Sequence, residues 1–350
     1  MIKEYGYEYD AVLNEKLWEE TQGKVTTEKY QGAYCLRSGR DALKAIAREY
    51  EPRTVFLTAL SCDSMVFPFE KYGHKIHFYR LNKDYSIDLG SLKECKENAI
   101  FLYMDYFGRR AISDEELECL RSKGNFVFIE DRTHNYIWDS ISSYQPDYVI
   151  TSLRKWLAIP DGALLWGNIN KPFDKDTSFS STRLKAQGMR HSFLQNGDES
   201  LKTTYRKIFS SVSEIMDKDG PSAMSAYSYA IVKETDWEEI RSARSNNAKV
   251  LISIMQSCPA ISFIQNKTGF SDLYVAFTVQ NRDAVQKTLS QEGIFNTIIW
   301  PLNNKQRAIC DVARNTESHM LAAPCDQRYS VDDMEYIGHE IVRVVNDVNG

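Results

Sequence analysis

A lysine just past a short apolar run is the residue in this chain best placed for covalent chemistry. Residues 147–162 read DYVITSLRKWLAIPDG, and within them Ser152 and Lys155 form a Ser-x-x-Lys motif directly after the strand-like DYVITS. Upstream, the apolar run NFVFIED ends in Asp131. Two candidate strands thus deliver a polar group at their C-terminal ends, the edge where open α/β sheets bind ligands. Such a pair suits pyridoxal 5'-phosphate. A lysine amine forms a Schiff base with the cofactor aldehyde, and an aspartate keeps the pyridine nitrogen protonated, so that the ring accepts electrons from the substrate carbon. Once displaced by a substrate amine, the same lysine can shuttle a proton between substrate and cofactor carbons. Ser152, on the same turn, can reach the cofactor phosphate.

Ser38-Gly39-Arg40 immediately precedes a helix-like stretch. Taken alone it is an N-cap serine followed by glycine. Beside Asp131 and Lys155 it reads better as a phosphate cradle, because small residues admit the anion to free N–H groups at a helix N-terminus, and the helix dipole favours negative charge. Arg40 is a second cation for the phosphate. His134, just after Asp131, either contacts the cofactor ring or its hydroxyl or is an ordinary core histidine. Tyr106-Phe107-Gly108 reads as core plus turn, with lining of the pocket as the alternative. Cys62 has no partner base nearby, and most single cysteines are inert. The chain lacks G-x-G-x-x-G, G-x-x-x-x-G-K-[ST] and G-x-S-x-G, so dinucleotide oxidoreductases, P-loop enzymes and α/β-hydrolases lose their usual support.

The elements that must position these residues alternate between helical and strand-like periods from residue 40 to about 170. A helix face holds Ala42, Leu43, Ile46, Ala47 and Tyr50, stopped at Glu51-Pro52. TVFLTA, KIHFYRL, AIFLYMDYFG, NFVFIED, DYVITS and ALLWG read as strands, with helices over 62–72 and 114–123 between them. Runs this apolar predict a mainly parallel sheet buried on both faces. The polar stretch 171–200 reads as loops and a short helix, followed by a helical zone over 201–256 broken at Gly220-Pro221. Past Cys258 the pattern becomes α+β: ISFIQ, DLYVAFTVQ, a helix over 282–292, the strand FNTIIW and a last helix over 331–348. The spacing predicts an α/β large domain over 1–240 and a smaller α+β domain over 241–350.

With 350 residues, about two domains are expected. A net charge of −5 and a pI near 5.8 speak against nucleic acid, which favours a basic patch or stripe. The N-terminus has no apolar stretch of the kind a secretory signal needs, and no run approaches the ~20 apolar residues of a membrane helix. Cys35, Cys62, Cys95, Cys119, Cys258, Cys310 and Cys325 stand singly, without a C-x-x-C, which argues against disulfide frameworks and zinc sites and points to a reducing cytoplasm.

The order of motifs resembles a known family. SGRDAL, then TALSCDSMVFPFEKYGHKIHFYRLNKDYSIDL, DYFG, VFIEDRTHN and SLRKW are similar to the DegT/StrS-type sugar aminotransferases of the aspartate aminotransferase fold type I. The likeness continues through RSARSNNAKVL, GIFNTIIWP and LAAPCDQRYSVDDMEYI, and so spans nearly the whole chain. The resemblance implies that Lys155 is the Schiff-base lysine and Asp131 the partner of the pyridine nitrogen. It places Ser38, Gly39 and Arg40 in the phosphate loop, Ser152 at the phosphate, and His134 near the ring oxygen. It also implies a homodimer with shared active sites, with residues 171–200 a candidate for contributions in trans. The implied reaction transfers an amino group from an amino acid such as glutamate to a keto-sugar, often nucleotide-linked, for surface polysaccharide or related amino sugars. The chain departs from the family pattern in four places. Cys62 stands where an aromatic ring often stacks on the cofactor, Ala163 where a glycine is common, and Arg40 where a small hydroxyl residue is usual, and the lysine turn is shorter. Retention of the lysine favours transamination, while another pyridoxal phosphate reaction such as elimination, or a non-catalytic scaffold, stays open.

Overall fold

The computed structural model describes residues 2–92, 98–108, 110–136, 146–264 and 273–349. Cys95 and Arg109 lie outside them. The N-terminal segment holds a short strand, β1 (Tyr5–Gly6). There follow β2 (Lys29–Tyr30), β3 (Ala33–Leu36), β4 (Thr54–Thr58), β5 (Lys75–Tyr79), β6 (Ile100–Met104), β7 (Val127–Asp131), β8 (Tyr148–Ser152) and β9 (Ala163–Trp166). These eight form one sheet in the order β2-β3-β9-β8-β7-β6-β4-β5. The block β8-β7-β6-β4-β5 is parallel, whereas β9, β3 and β2 pair antiparallel. Every residue of β6 is buried, as expected for a parallel strand with helices on both faces. The α/β class and mainly parallel sheet read from the sequence are what the chain adopts.

Register carries the chemistry to one edge. Met104 pairs with Asp131, and Asp131 with Ile150, so β6, β7 and β8 end close together. The helix Gly39–Ala47 buries Ala42, Leu43, Ala45, Ile46 and Ala47 against this sheet. It ends before the expected stop, at Arg48.

The C-terminal region builds a three-stranded antiparallel sheet from β10 (Ser262–Phe263), β11 (Tyr274–Thr278) and β13 (Met320–Pro324), with β12 (Ile294–Phe295) pairing parallel to β1 instead. Its core joins Leu251 and Met255 of the helix Trp237–Met255 to Met334, Ile337, Ile341 and Val345 of the helix Val331–Asn349, and includes Tyr5.

Two expectations need correction. The stretch 171–200 is not mainly loop: it carries the helix Ser178–Asn196, and the helix Glu199–Lys218 follows at once. The inward face of the first includes Arg183, Gln187 and Arg190 beside Phe179, Leu184 and Phe193. A periodicity read only from apolar residues misses such a face. Acids of the N-terminal segment neutralise it, with Arg190 donating to Glu4 at 2.8 Å and Arg183 to Glu8 at 2.7 Å. The second correction concerns FNTIIW. Its paired strand stops at Phe295, Thr297 makes only a single bridge to Ala322, and the Trp300 indole donates to the Leu60 carbonyl at 2.9 Å. The chain here crosses to the large sheet instead of continuing a ladder. Of the helices Asn304–Ile309 and Asp311–His319 the sequence pattern carried no warning.

The Arg190 and Glu4 side chains are 0% and 4% exposed, so removing the arginine leaves a buried carboxylate with Lys202, at 3.2 Å, as its remaining cation. Arg190→Ala is expected to lower the unfolding free energy by about 3 kcal/mol, measured by chemical denaturation. A loss below about 1 kcal/mol would mean that Lys202 suffices.

Candidate active site

Asp131 is the last residue of β7 and Ser152 the last of β8, after which a single 3-10 turn, Leu153–Lys155, raises the lysine from the sheet edge. The turn is held at both ends. Leu153 N donates to Gly162 O at 3.0 Å, Gly162 N donates to Arg37 O at 2.7 Å, and the buried Trp156 indole donates to Thr133 O at 3.0 Å. Gly162 has φ +149°, and a Cβ there would come within 2.8 Å of Ile159 Cδ1. The glycine is required at this point, and the following Ala163 is accommodated as the first residue of β9.

Ser38 caps the helix Gly39–Ala47. Its hydroxyl accepts from Asp41 N at 3.1 Å and donates to Asp41 Oδ2 at 2.6 Å. The capping reading therefore holds for the side chain, and any anion at this helix start falls to the backbone N–H groups and to neighbouring residues. A Cβ on Gly39 would lie 3.6 Å from Ser152 Cβ, so helix start and strand end face each other. The Ser152 hydroxyl makes no hydrogen bond among the described residues. Arg40 donates to Ser64 Oγ at 2.6 Å and pairs with Asp217.

These residues line one cavity of about 280 Å³. Ser38, Gly39, Arg40, Cys62, Asp131, Ser152 and Lys155 all border it. His134 does not. It is buried behind the cavity wall among Tyr106, Phe107, Tyr274 and Trp300, accepts weakly from Phe107 N at 3.4 Å, and its Nε2 has no partner among the described residues. Burial, aided by Lys155, holds its imidazole neutral by pushing its pKa well down. In the structure its contacts are thus with aromatic rings, 5.9–6.3 Å between ring centres.

The lining residues that the sequence pattern did not mark include Trp300, Thr133 and Ser64. Trp300 supplies an aromatic face, its ring centre 5.8 Å from Lys155 Nζ, where the local motif offers only Cys62. Thr133 ties the two key strands together: its N–H donates to Asp131 Oδ1 at 2.8 Å, and its Oγ1 accepts from Ser152 N at 3.1 Å. The Asp-x-Thr spacing is an Asx-turn signal that could have revealed it. Ser64, after Cys62, partners Arg40.

Burial sets the electrostatics. It raises the Asp131 carboxyl, against Thr133 and Lys155, and lowers the Lys155 ammonium, against Cys62 and Asp131. An amine so placed loses its proton more readily than a solvated lysine and becomes a better nucleophile.

A second cavity, of about 360 Å³, lies between the N-terminal segment and the C-terminal region, bordered by Glu8, Tyr9, Arg244, Tyr274, Asp326 and Arg328 among others. Arg154 and Lys155 border both cavities.

Beside the site, Asp105 accepts from Ala111 N at 2.9 Å and Asn135 Nδ2 at 3.0 Å. Burial first, then the Glu130 charge, hold its carboxyl well above the usual range. The folded chain therefore keeps this proton where the unfolded chain has released it. The contribution to stability is present below the ordinary Asp value and is lost as pH rises through the folded one. Stability of the cofactor-free protein is expected to decline from about pH 4 towards neutrality, and Asp105→Asn to flatten that slope in pH-dependent denaturation. An unchanged slope would assign the proton elsewhere.

No protein-family model and no curated protein sequence matches the chain. Solved structures do. PseC from Helicobacter pylori, an aminotransferase involved in the biosynthesis of pseudoaminic acid, superposes with a TM-score of 0.67 at 14% identity, over 99% of this chain and 100% of that one. The PLP form of Spr1654 from Streptococcus pneumoniae, provisionally assigned as a sugar aminotransferase, gives 0.69 at 13% identity, over 99% and 100%. A DegT DnrJ EryC1 StrS aminotransferase from Brucella abortus gives 0.61 at 15%, over 96% and 89%. At such identities the likeness is one of fold. The chain has the fold type I architecture of these aminotransferases along almost its entire length.

Proposed function

We propose that this chain is a pyridoxal 5'-phosphate-dependent aminotransferase, moving an amino group from an amino acid such as glutamate to a keto-sugar. The observation that carries the reading is the convergence of Lys155, Asp131 and the Gly39 helix start on one cavity. The residues fit the cofactor. Gly39 leaves room for a close-approaching anion, the unbonded Ser152 hydroxyl faces it, Arg40 adds positive charge, and Trp300 presents an aromatic wall. Cofactor-bound, the site would gain an aldehyde that condenses with amines and a ring that draws electrons from the amine-bearing carbon.

The chain's own groups do the rest. Lys155 Nζ, desolvated and readily neutral, would take the proton from the amine-bearing carbon of the substrate and deliver it to the carbon of the cofactor aldehyde. Asp131, fixed by Thr133, holds a proton at the pyridine nitrogen, and the charge on that nitrogen favours the carboxylate form of a group that burial alone would protonate. Trp300 and Met104 help to keep water from the reacting face. The keto-sugar assignment, its nucleotide linkage, polysaccharide or related amino-sugar biosynthesis, a cytoplasmic setting, and a homodimer completing each site across the interface all rest on the motif order of the family and on the fold. Among the described residues no helix is long and apolar enough to cross a membrane, and no cluster of His, Cys, Asp and Glu could hold a metal.

Adding pyridoxal phosphate to the purified protein is expected to produce a visible band near ~420 nm from the lysine amine, absent in Lys155→Ala. Glutamate should bleach it, and 2-oxoglutarate should appear in stoichiometric amount. Release of ammonia instead would identify an elimination enzyme. Asp131→Asn is expected to retain the cofactor but lower turnover by at least ~100-fold; unimpaired turnover would remove Asp131 from the mechanism.

Trp300 gives an independent signal. Cofactor binding should quench tryptophan emission, and Trp300→Phe should lose a large share of that quenching while keeping the visible band. Equal quenching in both proteins would place the cofactor away from Trp300.

A further inference from the structure

Lys155 and Arg154 are the two residues that border both cavities. The first cavity is accounted for by the cofactor. The second opens on the same lysine from the side of the N-terminal segment and the C-terminal region.

Arg154 lacks the partners that neighbouring cations have. Glu8 is engaged by Arg183 at 2.7 Å and Asp326 by Arg328 at 2.7 Å. Arg154 forms no hydrogen bond and no ion pair among the described residues, its Nε is buried without an acceptor, and its guanidinium lies over the Phe179 ring, 5.8 Å from the ring centre. Burial and the nearby Arg183 push its pKa down to about 10, with Glu8 opposing. The side chain as a whole is only partly buried, so the rest of this guanidinium stays open to the cavities it borders, and its planar fork of unpaired donors matches a carboxylate.

The position selects which carboxylate. The amine-bearing carbon of a substrate must come to Lys155 Nζ, and in an α-amino acid the carboxylate is attached to that same carbon. Its anchor therefore has to stand beside the lysine, as Arg154 does. We propose that the second cavity admits the amino-acid substrate and that Arg154 anchors the carboxylate next to its amine, distinguishing α-amino acids from simple amines. This rests on the aminotransferase reading above. Because Arg154 also borders the first cavity, the cofactor phosphate is the competing anion.

The test uses the full chain loaded with pyridoxal phosphate. Glutarate, which has carboxylates but no amine, is titrated by calorimetry, and bleaching of the visible band is followed with L-glutamate and with propylamine, which has no carboxylate. Arg154→Gln is expected to weaken glutarate binding, and to raise the glutamate concentration for half-maximal bleaching, by about tenfold or more, roughly 1.4 kcal/mol, with Arg154→Lys intermediate. With propylamine the variant and the unmodified protein should differ by less than about twofold, set against that tenfold scale. Thermal unfolding of Arg154→Gln checks the fold, and with no ion pair or hydrogen bond to break, no large loss of stability is expected. Equal glutarate affinity in both proteins overturns the proposal. So does a variant that binds pyridoxal phosphate more weakly yet binds pyridoxal, which lacks the phosphate, as well as before. Absence of any visible band in the unmodified protein defeats the aminotransferase reading instead, and glutarate titration of the unloaded chain then still decides whether Arg154 holds a carboxylate.

Discussion

Arg37 and Asp41, both withdrawn from water, hold each other through two hydrogen bonds of 2.9 Å, and the Ser38 hydroxyl donates to the same carboxylate at 2.6 Å. Arg37 also reaches Asp219 at 3.2 Å and the Gly220 carbonyl at 3.3 Å. Two buried charges recover their desolvation cost only when the remaining donors and acceptors are satisfied. Here they are, and the carboxylate also sits in the first turn of a helix, where the dipole favours it. Nearby, Lys44 is pushed down to about 8 by burial and donates to Asp219 O at 2.9 Å. The start of the helix Gly39–Ala47 is thereby fixed to the turn around Gly220 that follows the helix Glu199–Lys218, and through Arg37 O to Gly162 on the far side of the lysine turn.

Gly39, Ser152 and Lys155 therefore keep their relative positions with the help of an ionic knot beneath them. Thr133 does the same for Asp131 and Ser152 from above. The parallel sheet supplies the coarse placement, since β6, β7 and β8 end in register. The polar clamps supply the fine placement.

This division explains what could be read from the sequence. Parallel strands buried on both faces leave unbroken apolar runs, so β7 and β8, and with them Asp131 and Lys155, stand out in a linear text. The helix Gly39–Ala47 was legible from its apolar face and its Ser-Gly start. The Ser38 hydroxyl was not, because its competing acceptor, Asp41, belongs equally to a cap and to an anion site. Trp300 was hidden by distance, arriving from a segment that locally resembles a strand. The helix Ser178–Asn196 was hidden by composition, because Arg183 and Arg190 are core residues only in the presence of Glu8 and Glu4, far away in the chain. His134 stood out by motif order, but the four aromatic rings around it come from separate segments that the local sequence does not announce.

The pairing of β1 with β12 has a temporal meaning. The strand Tyr5–Gly6 is made well before its partner Ile294–Phe295, and closing so long a loop is slow. The large sheet can form and bury its core while the N-terminal segment waits, its acids already able to meet Arg183 and Arg190. Both cavities therefore wait on the C-terminal region, the first for Trp300 and the second for Asp326 and Arg328 opposite the wall that Glu8 and Tyr9 give it, so neither chamber is complete until that region has folded.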